Sequence, residues 1–401
     1  MSGFKFTTSG ESHGKGMLVT VEGVPAGLAV SPANLAHELG RRQQGYGRGE
    51  RMKIETDAGE FLSGVRLGET LGSPISIWIR NRDFENWRTA MAAEAQPGAD
   101  DETLRRVVLP RPGHADLVGL LKYDRTDARD ILERASARET AARVAAGAIA
   151  KRLLSEFGVR IGSHVTRLGA SAAARPDSLP EDINAAADTT ALRCLDPEAT
   201  EAMIAEIDRC AELGDTLGGE FEVVISGLPV GLGSHVSSAE RLDGRLAGAM
   251  MSIQAMKGVE IGLGFPAAAM RGSAVHDEIE PDPSRRLTGG YSRRRNSAGG
   301  LEGGITTGEN VVVRTAMKPL SSLRQPLDSV DLSTGKPAVA VRERSDVCAV
   351  PAAGVVGEAM AAIVVADAMR EKFAGDSLGE MRANYDAYLE RVNRRHPGAG
   401  D

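Results

Sequence analysis

Glu133-Arg134-Ala135-Ser136-Ala137-Arg138-Glu139-Thr140, with the alanine-rich run behind it, decides the architecture. Ser136 followed three residues later by Glu139 reads as a capping box and predicts a helix start at Ser136. From Ala137 to Phe157 there is no proline, strong helix formers dominate, and Gly158 supplies a stop. Such a helix would be roughly 31 Å long. Ala141, Ala142, Ala145, Ala146, Gly147, Ala148 and Ala150 make it thin, so other layers can approach on more than one side. That suits a central helix. Its start carries an anomaly, because Arg134 and Arg138 oppose a dipole that favours negative charge there. A bound anion would remove the conflict, with backbone N–H groups, Ser136 and two guanidiniums converging on a phosphate or carboxylate. The plain alternative is a pair of solvated arginines beside Asp130 and Glu133.

Upstream, Phe4 to Thr8 and Met17 to Val24 read as strands around Gly10-Glu11-Ser12-His13-Gly14. Glycines flanking a polar tripeptide expose His13 and let a ligand come close; an ordinary hairpin turn is the alternative. Pro32 to Arg42 reads as a helix with Ser31 as cap. It runs into Arg41 to Arg51, where Arg42, Arg48 and Arg51 lie among glycines in what reads as a mobile basic loop for a polyanion. Ile75, Ile77 and Ile79 alternate as in a half-buried strand. Arg82 to Pro110 is a polar excursion ending in Arg111-Pro112-Gly113-His114-Ala115-Asp116, a rigid turn that can present His114. Lys122 to Asp130 reads as a loop.

Downstream, Ile161 to Leu168 and Glu220 to Ile225 read as strands, and Glu198 to Leu213 as an amphipathic helix ended by Gly214. A second thin helix runs from Ser238 towards Gln254-Ala255 and could partner the first. Asn296 to Gly304 is glycine-dense but matches neither a dinucleotide fingerprint nor a P-loop. After the strand Val311 to Ala316, Lys318-Pro319-Leu320-Ser321-Ser322 offers a phosphate clamp or a capped turn. Asp346 lies beyond Arg342 and Arg344, as an ion-pair partner or an acid/base group. A helix is expected from Val355 to about Phe373, then a polar helical tail.

Length and composition bound these readings. The 401 residues contain no obvious linker and fit one domain over residues 1–401, with peripheral segments at about 171–197 and 266–295 and a frayed tail at 394–401. Net charge −7 and 4% aromatic residues argue against nucleic acid as partner. No apolar run reads as the ~20-residue span a bilayer needs, so no membrane partner is expected. Three cysteines without metal or disulfide spacing, and no signal peptide at the N-terminus, point to a reducing cytoplasm.

Gly10-Glu11-Ser12-His13-Gly14, Glu133 to Thr140 and Arg344-Ser345-Asp346-Val347-Cys348, in that order, resemble the signature blocks of the chorismate synthase family. Arg48 with its glycines, Arg111 to Asp116 and Lys318-Pro319 resemble it too, so the likeness spans nearly the whole chain. The resemblance implies an α+β fold in which a helix layer is sandwiched between antiparallel sheets with internal pseudo-symmetry, assembled as a homotetramer. It implies a phosphate lyase that converts 5-enolpyruvylshikimate 3-phosphate to chorismate by 1,4-anti elimination. The cofactor implied is reduced FMN with no net redox change.

By the same likeness, His13 donates to the leaving phosphate, His114 holds the reduced ring as its anion, and Asp346 acts as base at flavin N5. Flavin contacts carry over to Arg134, Ala135, Ser136, Gln254, Ala255, Gly303, Lys318, Pro319, Leu320, Ser321, Ser322 and Arg344. Substrate or NADPH anions fall to Arg42, Arg48, Arg51 and Arg138, with substrate preferred. NADPH stands as an upstream reductant, and the absence of a dinucleotide fingerprint predicts that reduced flavin is supplied from outside. The competing readings are a flavin oxidoreductase with net hydride transfer and an RNA-binding module built on the arginine-rich loops.

Overall fold

The computed structural model describes residues 3–49, 56–100, 103–176, 178–342 and 346–394. Alternation builds the first sheet. Ile75, Ile77 and Ile79 are buried while their neighbours face outward, as a strand with one face on a core requires. Strands β1 (Lys5–Ser9), β2 (Gly16–Glu22), β3 (Gly59–Phe61) and β4 (Ile75–Arg80) pair antiparallel in the order β1-β2-β4-β3. In the second half, β5 (Arg160–Leu168), β6 (Gly219–Ser226), β7 (Met256–Ile261) and β8 (Val311–Met317) repeat that order as β5-β6-β8-β7, again antiparallel. A short strand, Ser171–Ala172, extends the outer edge of β5.

The helices repeat as well. In the first half α1 (Pro32–Gln43) lies between β2 and β3 in the chain. After β4 come α2 (Asp116–Tyr123), α3 (Arg129–Ala135) and α4 (Thr140–Ser155). In the second half α5 (Pro197–Glu212) joins β5 to β6, α6 (Leu242–Met251) lies between β6 and β7, and α7 (Val350–Phe373) follows β8. The tail helix α8 (Leu378–Asn393) carries a capping box from Ser377 and Glu380. Helix α4 packs on β1, β2 and β4, while α7 packs on β5 and β6 and against α4, so the helices form a layer between the two sheets. This is the α+β sandwich with internal pseudo-symmetry that the resemblance implies.

Thin helices allow that layer. A Cβ added to Gly147 of α4 would fall 2.3 Å from Ala359 Cβ of α7, so the two backbones meet where only a hydrogen fits. Helix α7 is long and apolar enough to cross a membrane by length and composition, but 89% of its most apolar window is buried in the protein. It is the core helix, and its one fully buried charge is Glu358.

Several local readings are corrected. Ser136 does not start the central helix. It sits in extended conformation between α3 and a 3-10 turn, Ala137–Glu139, and α4 begins at Thr140. Its hydroxyl accepts from Arg138 N, while the Glu139 carboxylate is taken by Thr8, Arg143 and Gln254, so no capping box forms. Arg134 consequently lies in the last turn of α3, where a cation agrees with the dipole, while Arg138 stays just before α4 and is paired with Asp57.

Arg41 and Arg42 belong to α1 and are buried rather than part of a mobile loop. Helix α6 packs on α7, and the partner of α4 is α7. Of the loop read over Lys122 to Asp130, residues 122–123 end α2 and residues 129–130 begin α3, and α7 starts at Val350 with Pro351 in its first turn, where a missing N–H costs nothing. Within 171–197, Ala187, Leu192, Arg193 and Cys194 are buried. Segment 266–295 contains a short hairpin, Ile279–Pro281 with Tyr291–Arg293.

Candidate active site

The loop between β1 and β2 is fastened from two sides. On one side, Ser12 N–H donates to Glu133 O (3.0 Å) and His13 N–H to Glu133 Oε2 (2.8 Å). His13 Nδ1 lies 2.9 and 3.0 Å from the two Glu133 oxygens. A carboxylate only accepts, so Nδ1 carries the proton and Nε2 is the atom that can meet a ligand. The imidazole stacks on Trp87 with centroids 4.1 Å apart, and the Arg129 guanidinium lies 4.8 Å from the same ring. Burial pushes the Glu133 carboxyl up, but the bonds and charge from His13, joined by Arg129, hold it below its ordinary value.

On the other side, Asn81 Nδ2 donates to the carbonyls of Glu11, Ser12 and Gly14. Its Oδ1 accepts from Arg138 Nε (2.9 Å). Arg138 Nη1 also bonds Asp57 Oδ1 (2.5 Å), and Arg42 Nη2 bonds Asp57 Oδ2 (2.8 Å). Burial would raise the Asp57 carboxyl, yet the two guanidiniums hold it below its usual range. The sequence offered Arg42 and Arg138 as direct anion ligands. The structure buries both against Asp57, but Arg42 Nε and Arg138 Nη2 remain buried with no hydrogen-bond partner among the described residues.

A second arc starts at Arg134, which donates to Gly10 O, Thr8 O and Thr8 Oγ1. Thr8 in turn donates to Glu139 Oε1 (2.7 Å), and Gln254 Nε2 donates to Glu139 Oε2 (3.1 Å). Gln254 Oε1 is buried without a partner among the described residues. Ala255 holds a φ of 69°, a left-handed conformation that costs a non-glycine residue energy and concentrates at functional sites. Its carbonyl accepts from Lys318 N (3.0 Å), and Lys318 Nζ donates to Gly113 O. Burial, with the nearby Lys257 charge, pushes the Lys318 ammonium below its usual value, so an anion at this point would be welcome.

Gly113 leads to His114. Its Nδ1 lies 2.5 Å from Asp116 Oδ1 and 3.0 Å from Arg111 Nη2. Arginine only donates and carboxylate only accepts, so the Nδ1 proton goes to Asp116, while Arg111 Nη2 serves Asp116 Oδ1. Burial opposes the Asp116 charge, but His114 and Arg111 together hold the carboxyl far below its ordinary range. Arg111 Nη1 also reaches Ser322 Oγ (2.9 Å). Both candidate histidines are thus held by a carboxylate at Nδ1 and directed outward through Nε2.

Asp346 accepts from Gly49 N (2.6 Å) and pairs with Arg48 Nη1 (3.3 Å). Arg48 is close enough to Arg42 for their charges to repel, which connects this pair to the Asp57 cluster. Three guanidiniums, Arg42, Arg48 and Arg138, therefore face the carboxylates of Asp57 and Asp346, leaving a cationic excess. Arg48 Nε is another buried donor without a partner among the described residues.

A family model described as Chorismate synthase matches residues 4–370. The chain belongs to the chorismate synthase family. The chorismate synthase of Geobacter sulfurreducens is 54% identical over 391 residues, covering 97% of this chain and 99% of the relative. That of Aquifex aeolicus is 53% identical over 397 residues, covering 97% and 98%. A crystal structure of chorismate synthase superposes with TM-score 0.79 at 44% identity, covering 98% of this chain and 99% of the other. Like the rest of the family, the chain is an enzyme, a lyase.

Set against the residues carried over from the chorismate synthase family, the structure joins most in one network and leaves some aside. Ala135 and Ser136 follow Arg134 at the end of α3, and Ser136 Oγ donates to Ser12 Oγ (3.2 Å). Leu320 O accepts from Thr216 Oγ1, Ser321 lies beside Gly113, and Pro319 lies beside Gly218. Gly303 sits on a separate hairpin turn near His235. Arg51 and Arg344 lie outside the described residues.

The reading of the sequence missed Glu133, Asp116, Trp87, Asn81, Asp57 and Glu139 as parts of the site. Asp116, two residues from His114, carried a local signal. Asn81 and Asp57 carried none, because their partners are 57 or more residues away in the chain for every bond to Arg138.

Proposed function

We propose that the chain converts 5-enolpyruvylshikimate 3-phosphate to chorismate by 1,4-anti elimination of phosphate, with no net redox change, as a cytoplasmic homotetramer. The observation that carries this reading is the pair of histidines, each oriented by a carboxylate, beside a buried cluster of guanidiniums with unpaired N–H groups. A substrate with two carboxylates and a phosphate needs charge-assisted donors in a dry site. Arg42, Arg48 and Arg138 supply them, and Asp57 and Asp346 hold the guanidiniums in place until the substrate arrives.

His13 Nε2 gives a proton to the departing phosphate, and Glu133 orients the ring through Nδ1. Trp87 excludes water from one face of that ring. Asp346, released from Arg48 as the substrate carboxylates take over the guanidinium, acts as the base.

Reduced FMN fits the other arc. Lys318 with Lys257 nearby, and the Ser321 and Ser322 hydroxyls, suit a phosphate; the orphaned Gln254 Oε1 needs a donor such as a flavin ring N–H. Arg134 and the strained Ala255 would border it, and His114 Nε2 would hold a proton at its edge. When bound, the reduced flavin lends an electron and takes it back, which leaves the overall reaction redox-neutral. NADPH enters only as the upstream reductant.

The test is an anaerobic assay with 5-enolpyruvylshikimate 3-phosphate and dithionite-reduced FMN, following chorismate absorbance and free phosphate. Equal yields with the FMN still reduced are expected. No product under those conditions would reject the reading. Net consumption of reductant in step with product would favour a flavin oxidoreductase instead.

A further inference from the structure

We propose that Asn81 is a positioning residue that ties the His13 loop to the Arg138–Asp57–Arg42 cluster and so sets where the imidazole delivers its proton. The proposal rests on the reading of His13 as proton donor to the leaving phosphate. Asn81 is the residue after β4, and β4 pairs with β2, which begins as soon as the loop ends: Gly16 stands opposite Arg80. The sheet register therefore delivers a buried amide, 2% exposed, to the underside of the loop.

The side chain uses everything it has. Nδ2 lies 3.0 Å from Glu11 O, 3.1 Å from Ser12 O and 2.8 Å from Gly14 O. Two hydrogens serve three carbonyls, so one bond is shared. The backbone N–H of Asn81 adds Lys15 O at 3.1 Å. Oδ1 accepts from Arg138 Nε at 2.9 Å. Guanidinium only donates and carbonyls only accept, so the amide has a single orientation and cannot flip.

Further ties reach the loop from Arg134, which donates to Gly10 O, and from Ser136, which donates to Ser12 Oγ. Within it, Gly14 N–H reaches Glu11 O (3.1 Å), and Gly10, at φ 107°, is pinched so closely that an added Cβ would fall 2.2 Å from Gly16 O. Glu133 takes the loop's N–H groups and the imidazole, while Asn81 takes its carbonyls. Arg138 is held in turn by Asp57, which also holds Arg42. One amide therefore couples the guanidinium cluster to the proton donor, and binding of an anion to those guanidiniums is felt at the histidine loop.

The test is Asn81→Asp, an isostere that presents a carboxylate to three carbonyl oxygens while keeping an acceptor for Arg138. It is made in the natural chain and in a His13→Ala background, and kcat is measured in both. In the natural background kcat falls about 10²-fold, the scale of a displacement of roughly 1 Å at a reacting group. In the His13→Ala background the same change costs less than about threefold, because a residue acting through His13 has nothing left to position.

The second readout needs no turnover. Among the seven histidines, the ring NMR signal that disappears in His13→Ala is assigned to His13, and it shifts in Asn81→Asp while the others hold. Should Asn81→Asp not fold, Asn81→Ser, whose hydroxyl can serve one carbonyl, takes both measurements. Equal losses in the two backgrounds, or an unmoved His13 signal, would overturn the proposal and leave Asn81 a structural residue. A natural chain that makes no chorismate would reject the proposed function alone, and the NMR comparison would still decide the role of Asn81.

Discussion

Glu358→Ala removes the one fully buried charge of α7, and its cost follows from the contacts. The carboxylate accepts from Arg41 Nη1 (2.8 Å) and Nη2 (2.9 Å), Lys151 Nζ (2.5 Å), Arg193 Nη2 (3.0 Å), Ser163 Oγ (2.6 Å) and Asn184 Nδ2 (3.1 Å). Glu38 also pairs with Arg41 and Lys151, and Asp188 with Arg41 and Arg193. Three cations thus meet three carboxylates, and the truncation leaves a net positive charge in the interior. Breaking a buried pair from one side costs about 3–5 kcal/mol. With about 2.1 cal/mol/K of unfolding entropy per residue over 401 residues, that is a fall in Tm of about 4–6 °C.

The sign of the pH effect is fixed as well. Burial pushes the Glu358 carboxyl up, but Lys151, Arg41 and Arg193 overcome it and hold it far below the ordinary range of a glutamate. Its contribution is therefore present above the unfolded value and is lost as pH falls towards the folded one. Thermal unfolding of both proteins from pH 7 down to pH 3 checks this, the gap in Tm narrowing as pH drops below about 4.5. A change in Tm under 1 °C at pH 7, or a gap that widens on acidification, would refute the reasoning.

His13→Ala and Asp346→Ala should each lower turnover by roughly 10²-fold or more with the fold intact, and near-normal turnover in either removes that residue from the mechanism. Gly147→Val should destabilise by about 1–3 kcal/mol or more in urea unfolding, since even the first added carbon meets Ala359; an unchanged midpoint would show that α4 and α7 can separate freely. Asp116 is held far below its usual value after burial is overcome by His114 and Arg111, so its stabilisation is present above about pH 4 and is lost only as pH falls through the depressed folded value. Asp116→Asn should remove that acid-side dependence, read as urea midpoint against pH, and an unaltered slope would reject the pairing.

Elements set by short-range pattern were legible in the sequence. The isoleucines of β4, Ser31 with Pro32 at the start of α1, and Gly214 just beyond the end of α5 each carry their own signal. Ser136 misled because a capping box is a local motif and Glu139 had stronger partners: Thr8 lies 131 residues away and Gln254 115. Within the site, the histidines and arginines could be named, but not what orients them. Glu133 was read as a companion of neighbouring arginines, whereas its imidazole partner is 120 residues upstream. Arg42 and Arg138 were read as open cations because nothing local reports a buried Asp57 between them.

The repeated strand order has a consequence for how the chemistry is divided. In each half, a long connection runs from the strand of the sheet that comes last in the chain to the core helix: residues 81–139 after β4 and residues 318–349 after β8. These two insertions touch each other, through Lys318 and Gly113, Ser322 and Arg111, and Leu332 and Val108. One brings both carboxylates that orient the histidines; the other brings Asp346 and Lys318. On the proposed reading of the site, neither half of the repeat carries the whole set of residues. Two polypeptides cut between the halves would each hold an incomplete set, and activity would return only where the pieces find one another, which makes this site a reporter of assembly as much as of catalysis.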